Sequence, residues 1–225
     1  MNKLGINLWN WRPGLDEGCL GLPAKLRDMG FTAIELPMST PELPEGLERE
    51  ILDSGLEVTL CAALGPGRDV SSFDPEVRAA TKDYLRACLR TGERLGAKLF
   101  CGPLYAGGGK RHVLPPEERQ REWGLAVEGV REMAGYAADR GIALALEPLS
   151  RYRTSVANTA AQVLRMISDI GAENVGLHFD TYQACIEEKD LLAALEASLA
   201  SGRMNHLHAC ANNRGAPGQG IVPWR

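Results

Sequence analysis

The sequence predicts one parallel α/β domain built as a (β/α)8 barrel, and three observations lead to this fold class. Short apolar runs alternate with longer amphipathic segments along the 225 residues, which is typical of a parallel sheet flanked by helices. No Gly-x-Gly-x-x-Gly motif follows the first run, which disfavours a doubly wound dinucleotide-binding sheet. Polar residues follow several of the predicted strands, at the edge where a barrel has its active site.

Seven strands are predicted, each a short run of mainly apolar residues. They cover residues 4–8, 33–36, 56–60, 98–101, 142–147, 175–180 and 204–208. Asp74 before Pro75, and Thr159 three residues before Gln162, are start signals for the helices between strands. Glycines at positions 55, 96, 141, 171 and 202 stand where helices are expected to end. The order of elements is therefore strand, helix, strand throughout.

Composition and charge exclude several classes of protein. The chain is 44% hydrophobic and 24% charged, with a net charge of −4, so disorder, collagen and coiled coil are disfavoured. An acidic balance disfavours nucleic-acid binding, and no apolar run reaches the length of a membrane helix. We expect a cytoplasmic protein with no nucleic-acid or membrane partner, and its six cysteines as separate thiols.

The segment 107–110, Gly-Gly-Gly-Lys, resembles a phosphate-binding loop only superficially. Arg111 follows the lysine where such loops have serine or threonine, and the leading glycine is misplaced. We therefore expect an ordinary flexible loop here.

Two carboxylates and an imidazole are predicted at matching heights on three successive strands. The period of two along a strand puts Glu147 on the same inward face as Ala143 and Ala145, at the strand end. Asp180 and His208 occupy the equivalent positions on the next two strands. A buried carboxylate needs a partner, and oxygen and imidazole ligands suit Mn²⁺, Mg²⁺, Co²⁺ or Zn²⁺. The sequence thus predicts a divalent-metal site.

Three more inward residues accompany the predicted metal site. His178 and His206 lie one layer deeper and are expected to be hydrogen-bonded histidines of the interior rather than ligands. Glu35 ends the second predicted strand, where it could contact a substrate or anchor its loop.

Five segments in order resemble the ketose 3-epimerases, the D-tagatose/D-psicose 3-epimerase group of the xylose-isomerase-like sugar isomerases. They are residues 61–72 (CAALGPGRDVSS), 102–105 (GPLY), 146–152 (LEPLSRY), 180–188 (DTYQACIEE) and 206–214 (HLHACANNR). The resemblance extends over most of the chain, from the third strand to the last residues.

The resemblance implies a TIM barrel that holds one divalent metal, with Mn²⁺ expected first and Co²⁺, Mg²⁺ or Zn²⁺ as alternatives. The family's metal ligands correspond to Glu147, Asp180 and His208, and its substrate-binding arginine corresponds to Arg214. The implied reaction in carbohydrate metabolism is metal-assisted proton transfer next to a ketose carbonyl through an enediolate, with Glu147 as one of the two catalytic carboxylates. A sugar substrate and a homodimer are implied in the same way.

The chain departs from the family pattern at two substrate-contacting positions. A glutamate of the family is Arg153 here, and a histidine of the family is Gln183. Arg153 reverses the local charge, so it either pairs with an anionic group of the substrate or turns to solvent. Both residues are kept as candidate substrate contacts.

The third departure concerns the family's second catalytic carboxylate, which lies on an eighth strand. Only seven strands are predicted in residues 1–225, and a whole barrel takes about 250 residues. We therefore expect an incomplete barrel that lacks its eighth βα unit, and we favour a C-terminally truncated single domain. The alternatives are that another chain completes the barrel or that the protein has lost this acid.

Other functions remain open from the sequence. A hydroxypyruvate-isomerase-like or inosose-dehydratase-like enzyme of the same superfamily would use similar ligands and would fit Arg153 and Gln183. The superfamily's DNA-repair endonucleases bind several zinc ions and fit poorly, because the chain has four histidines and an acidic balance. A different class is an impaired relative that binds metal or sugar without turnover.

Overall fold

The computed structural model describes residues 3–65 and 67–224, and its central feature is one sheet of parallel strands paired in chain order. The seven strands of the described chain are β1 (Gly5–Asn7), β2 (Ala33–Pro37), β3 (Glu57–Cys61), β4 (Leu99–Gly102), β5 (Ala143–Leu146), β6 (Val175–Asp180) and β7 (Met204–His208). Each begins and ends within one residue of its predicted bounds. The predicted barrel fold with seven strands is confirmed.

Helices connect the strands and cover the outer face of the sheet. They are α1 (Leu22–Asp28), α2 (Leu47–Ser54), α3 (Pro75–Arg94), α4 (Pro116–Ala138), α5 (Ala160–Ile170), α6 (Thr181–Glu187) and α7 (Leu191–Ala200).

The predicted helix signals are confirmed. The Asp74 side chain accepts a hydrogen bond from the backbone N–H of Glu76, and Thr159 and Gln162 form a reciprocal capping box. All five glycines expected near helix ends adopt positive φ values between 65° and 70°, a region that favours glycine.

Two apolar clusters lie on opposite faces of the sheet. The larger one fills the space between the sheet and the helices, and includes Leu144 and Leu146 of β5. The smaller one lies inside the barrel, where Cys61, Leu99 and Cys101 pack with Ala145. The alternation on β5 therefore matches the predicted faces, which places Glu147 at the end of the interior row.

The sheet curls until its seventh strand faces its second. The imidazole Nε2 atoms of His206 and His208 on β7 lie 2.9 and 2.7 Å from the carboxylate of Glu35 on β2. Strands separated by four others in the pairing order can make such contacts only across a barrel interior.

Both outer strands of the sheet have one neighbour each in residues 3–65 and 67–224. β1 pairs with β2 and β7 pairs with β6, while no described strand joins β7 to β1. Within those same residues, no helix has the length and apolar composition needed to cross a lipid bilayer.

Gly102 ends β4 in a conformation that requires glycine. Its φ is 123°, and a Cβ at this position would collide with the backbone carbonyl oxygen of Ala62 in the neighbouring loop. Neither the backbone carbonyl nor the positive φ can adapt cheaply to a side chain.

We predict that Gly102→Ala lowers the free energy of unfolding by about 2–4 kcal/mol, because strain and overpacking add. The matched control is Gly135→Ala on an exposed turn of α4, where a Cβ meets nothing within 4 Å. That change is expected to raise the unfolding free energy by about 0.5–1 kcal/mol. Urea denaturation followed by circular dichroism measures both, and equal effects of the same sign would contradict the assignment.

Candidate metal centre

The three residues predicted as metal ligands meet at the carboxyl ends of the strands. Asp180 and His208 end neighbouring strands in register, and the Nδ1 atom of His208 lies 3.8 Å from Oδ2 of Asp180. Glu147 follows β5 directly, and its side chain is buried like that of Asp180. The strand register therefore places Asp180 and His208 beside each other, with Glu147 at the end of the adjacent strand β5.

The two carboxylates influence each other strongly. Burial and the neighbouring charge of Asp180 raise the pKa of Glu147 to about 8. Burial opposes ionisation of Asp180 as well, but the neighbouring His208 and the charge of Arg214 lower the pKa of Asp180 below its ordinary value. Two buried acids side by side need a proton or a cation between them, so this donor set fits a divalent ion with oxygen and imidazole ligands.

Glu35 is the hydrogen-bond acceptor at the centre of the barrel interior. Its Oε1 atom accepts bonds from Nδ2 of Asn7 and Nε2 of His208, both at 2.7 Å. Its Oε2 atom accepts from Nε2 of His206 at 2.9 Å and from Oγ1 of Thr59 at 3.1 Å. Burial disfavours the charge, yet the charge of His208 and these histidine hydrogen bonds hold the pKa of Glu35 well below its ordinary value.

Burial opposes the charge of His208, but Glu35 and Asp180 hold the pKa of His208 well above its ordinary value. A metal binds the neutral imidazole, and in that form Glu35 determines which nitrogen keeps the proton. A carboxylate only accepts hydrogen bonds, so Nε2 of His208 must donate to it. The other nitrogen, Nδ1, is the one that faces Asp180. This arrangement of carboxylate, histidine and open nitrogen is how metal-binding histidines are usually oriented. Glu35 is therefore a positioning residue for His208, and contact of Glu35 with a substrate stays a prediction.

Among the described residues, the donors whose ligand atoms all lie within 4.8 Å of one another form a different group, which shares only His208 with the predicted ligands. Glu35, Cys101, His206 and His208 each place one possible ligand atom within 4.8 Å of the others. The Sγ atom of Cys101 donates to Oε2 of Glu35 at 3.3 Å, and burial raises the pKa of this thiol well above its ordinary value. A protonated thiol is a poor ligand, so this group acts as hydrogen-bonded support for the cluster at the strand ends.

His178 lies below the candidate metal centre and is fully buried. Both of its ring nitrogens lack a hydrogen-bond partner in the structure, and its ring packs edge-on against those of His206 and His208. Burial and the two neighbouring imidazoles lower the pKa of His178 well below its ordinary value. Its interior location is as predicted, but the expected hydrogen bond is not formed, because the nearby carboxylate of Glu147 lies 4.0 Å from its Nδ1 atom, beyond hydrogen-bond range.

Arg214 reaches the metal centre from the loop after β7. Its Nη1 atom lies 2.8 Å from Oδ2 of Asp180, and its guanidinium stacks 3.8 Å above the ring of Tyr182. The backbone of Arg214 has a φ of 64°, which is strained for a residue with a side chain. The loop therefore holds this arginine at the mouth against a local conformational cost.

Gln183 and Arg153, the two departures from the family pattern, lie in different surroundings. Gln183 is buried, and its Oε1 atom accepts a hydrogen bond from the backbone N–H of Ser150 at 2.8 Å, which ties α6 to the loop after β5. Arg153 is exposed on that loop. Substrate contact by either residue stays a prediction.

The loop at 107–110 is an anchor for neighbouring segments, and the expectation of a flexible loop is wrong. The Nζ atom of Lys110 lies 2.7 Å from Asp69 and 2.8 Å from Glu122, and both acids are largely buried. The backbone N–H of Gly107 also donates to Asp69 at 3.1 Å. Because two carboxylates pair with Lys110, its ammonium group does not face a phosphate. The prediction that this segment is not a phosphate-binding loop agrees with these contacts.

Asn7, Thr59 and Cys101 are site residues that the sequence reasoning missed. Asn7 and Thr59 flank Glu35 in the strand register, and all three donate to its carboxylate. The available signal was a polar residue at an inward position of each neighbouring strand.

Comparison with known proteins identifies the family. The family model described as "Xylose isomerase-like TIM barrel" matches residues 23–225. An L-ribulose 3-epimerase of Mesorhizobium japonicum is 31% identical over 227 residues, which cover 100% of this chain and 75% of that protein. A ketose 3-epimerase of Arthrobacter globiformis is also 31% identical, with 99% of this chain and 76% of that protein covered.

Solved structures agree with the sequence relatives. An L-ribulose 3-epimerase structure superposes with a TM-score of 0.87 at 30% identity, covering 99% of this chain and 74% of the other. A D-allulose 3-epimerase from Methylomonas sp., solved with D-allulose, superposes with a TM-score of 0.90 at 26% identity, covering 99% and 76%. The chain thus spans about three quarters of these relatives and belongs to the xylose isomerase-like TIM-barrel family.

The role of Glu35 is tested by Glu35→Gln. An amide offers a neutral oxygen and an NH₂ group, so it cannot accept from both histidines as a carboxylate does. We predict that the affinity for Mn²⁺, measured by isothermal titration calorimetry, falls about 10–100-fold. The matched control is Glu128→Gln on an exposed position of α4, for which no change is expected. A folded Glu35→Gln protein that binds Mn²⁺ like the wild type would refute the positioning role.

Proposed function

We propose that this chain, as a member of the xylose isomerase-like TIM-barrel family, is a divalent-metal-dependent ketose epimerase that moves the proton next to the sugar's carbonyl. The observation that carries the proposal is the buried cluster of Glu147, Asp180 and His208, with Arg214 bonded to Asp180 at the open mouth. The relatives named as ketose and L-ribulose 3-epimerases support the reaction class.

Glu147, Asp180 and His208 would hold the ion. A divalent ion bound there would polarise the carbonyl and adjacent hydroxyl oxygens of a ketose, which acidifies the neighbouring C–H group. Arg214 lies beside Asp180 at the mouth, where its guanidinium can bind a hydroxyl oxygen of the sugar. Manganese is the ion we propose, because two carboxylates and one imidazole form an oxygen-rich donor set; Co²⁺, Mg²⁺ and Zn²⁺ are the alternatives.

Glu147 is the residue that we assign to proton transfer. Its carboxyl group is buried at the end of β5, on the inward face of the barrel where the substrate would lie. Removal of the proton leaves an enediolate on the sugar. Glu35 cannot share this task, since its oxygens accept hydrogen bonds from the two histidines.

Inversion at carbon requires a second acid on the opposite face of the sugar. No described strand lies between β7 and β1, and that is where the eighth strand of a closed barrel would run. We propose that the second carboxylate belongs to such an eighth βα unit of a longer single domain, as the family resemblance implies.

Further properties are proposed from the family alone. They are a place in carbohydrate metabolism, a cytoplasmic location, a homodimeric state, and the absence of nucleic-acid and membrane partners. The hydroxypyruvate-isomerase-like and inosose-dehydratase-like alternatives are less favoured, because the relatives at 31% identity are ketose epimerases.

Exchange of the C3 proton in deuterated water tests the proposed function. We predict that the Mn²⁺-loaded chain introduces deuterium at C3 of a ketose, which proton NMR follows, and that a chelator stops the exchange. Glu147→Gln should slow the exchange at least about 100-fold, because the proton acceptor is lost. Glu196→Gln, a matched change on an exposed position of α7, should leave the rate unchanged.

The same experiment separates the competing functions. Deuterium entry without the epimer would indicate that the second carboxylate is missing while Glu147 works. Metal binding with no exchange would favour an impaired relative. Exchange that persists in Glu147→Gln would contradict the catalytic role of Glu147.

A further inference from the structure

A groove beside the candidate metal centre exposes two arginines. The loops after β3, β4 and β5 form its walls, and Arg111, Tyr152 and Arg153 line it. All three side chains are exposed. These loops leave the carboxyl ends of their strands, so the groove opens on the same end of the barrel as Glu147.

The two arginines have no carboxylate partner in the part of the chain that the structure describes. The acids of the surrounding loops are already engaged: Lys110 binds both Asp69 and Glu122, at 2.7 and 2.8 Å. Glu187 forms a bidentate ion pair with the neighbouring Arg151, whose Nε and Nη2 atoms donate to its two carboxylate oxygens. The positive charge of the groove is therefore uncompensated within residues 3–65 and 67–224, which favours an anionic ligand.

Hydrogen bonds between the loops hold the two arginines in one place. The backbone N–H of Gly109 donates to the carbonyl of Arg153 at 2.9 Å, and that of Ser155 donates to the carbonyl of Lys110 at 2.7 Å. Lys110 and Thr154 also form a parallel β-bridge. Because each arginine adjoins a residue of this bridge, the backbone that presents them is ordered before a ligand arrives, which lowers the entropic cost of binding.

The position of the groove relates it to the substrate. Arg153 lies six residues after Glu147 on the same loop. The phenol oxygen of Tyr105 lies 2.9 and 2.8 Å from the carbonyl oxygens of Glu147 and Ala157, and its single O–H donates to this pair at the base of the loop. The loop after β5 therefore contributes both Glu147 and a wall of the groove.

The structure assigns to this groove a specificity role: we infer that Arg111 and Arg153 bind an anionic group of the sugar, a phosphate ester or a carboxylate. This inference rests on the proposed function, which supplies the sugar substrate, and it deepens that function by naming an anionic substrate class. Guanidinium groups suit both anions because they bind two oxygens at once.

Binding to the metal-loaded chain tests the inference with three ligands. They are a ketohexose, its phosphate ester at the terminal hydroxyl, and the corresponding terminal carboxylic acid, each titrated by calorimetry. We expect an anionic ligand to bind at least about tenfold more tightly than the neutral sugar, with a preference that falls as salt is added. Whichever anion binds more tightly identifies the source of the charge.

Variants locate the preference in the groove. Arg153→Gln and Arg111→Gln should each reduce the ratio of anionic to neutral affinity about tenfold, and the double variant should remove it. The matched control is Arg49→Gln on α2, whose side chain is 87% exposed and outside the groove; the ratio should not change. Equal affinity for all three ligands, or a preference that survives the double variant, would overturn the inference.

Deuterium exchange on the same ligands keeps this inference separate from the proposed function. Exchange with the neutral ketose and no anion preference would leave the function standing and reject the anion subsite. An arginine-dependent anion preference with no exchange on any ligand would support the subsite and reject the epimerase proposal.

Discussion

The carboxylate of Glu35 is the constraint on which the rest of the site depends. It is buried inside the barrel, where an unpaired charge would be too costly, and it therefore collects donors from both sides. Two of those donors, His206 and His208, come from β7, five strands away in the pairing order. One buried charge thus brings the two ends of the curled sheet together, and it also determines which nitrogen of His208 remains free to face Asp180.

The candidate metal centre has an excess of buried carboxyl groups, which favours binding of a cation. Glu147 and Asp180 are buried neighbours, and their mutual repulsion divides their pKa values: burial and Asp180 raise that of Glu147 to about 8, while His208 and Arg214 overcome the burial of Asp180 and lower its pKa. A divalent cation between the two carboxylates would compensate this repulsion. The charge of Asp180 also explains why Arg214 stays at the mouth of the barrel although its backbone is strained.

Charged residues of the loops at the strand ends have two different roles: some join neighbouring segments, and others remain exposed to the groove. Lys110 forms ion pairs with the largely buried acids Asp69 and Glu122. Its positive charge is therefore neutralised within the fold and does not face a ligand. Arg111, the next residue, and Arg153, across the β-bridge, keep their charges exposed to the groove. Family membership therefore predicts the chemistry at Glu147, whereas Arg153 on the loop after β5 departs from the family pattern.

The sequence by itself determined the order of the elements, the inward faces of the strands, the helix caps at Asp74 and Thr159, and the positions of Glu147, Asp180 and His208. Those features follow from local periodicity and capping chemistry, which act between residues close in the chain. Only the tertiary structure decided that Glu35 supports His208, that Lys110 is an anchor and that His178 has no hydrogen-bond partner. Each of those outcomes depends on which distant side chains meet across the curled barrel, and no local pattern carries that information.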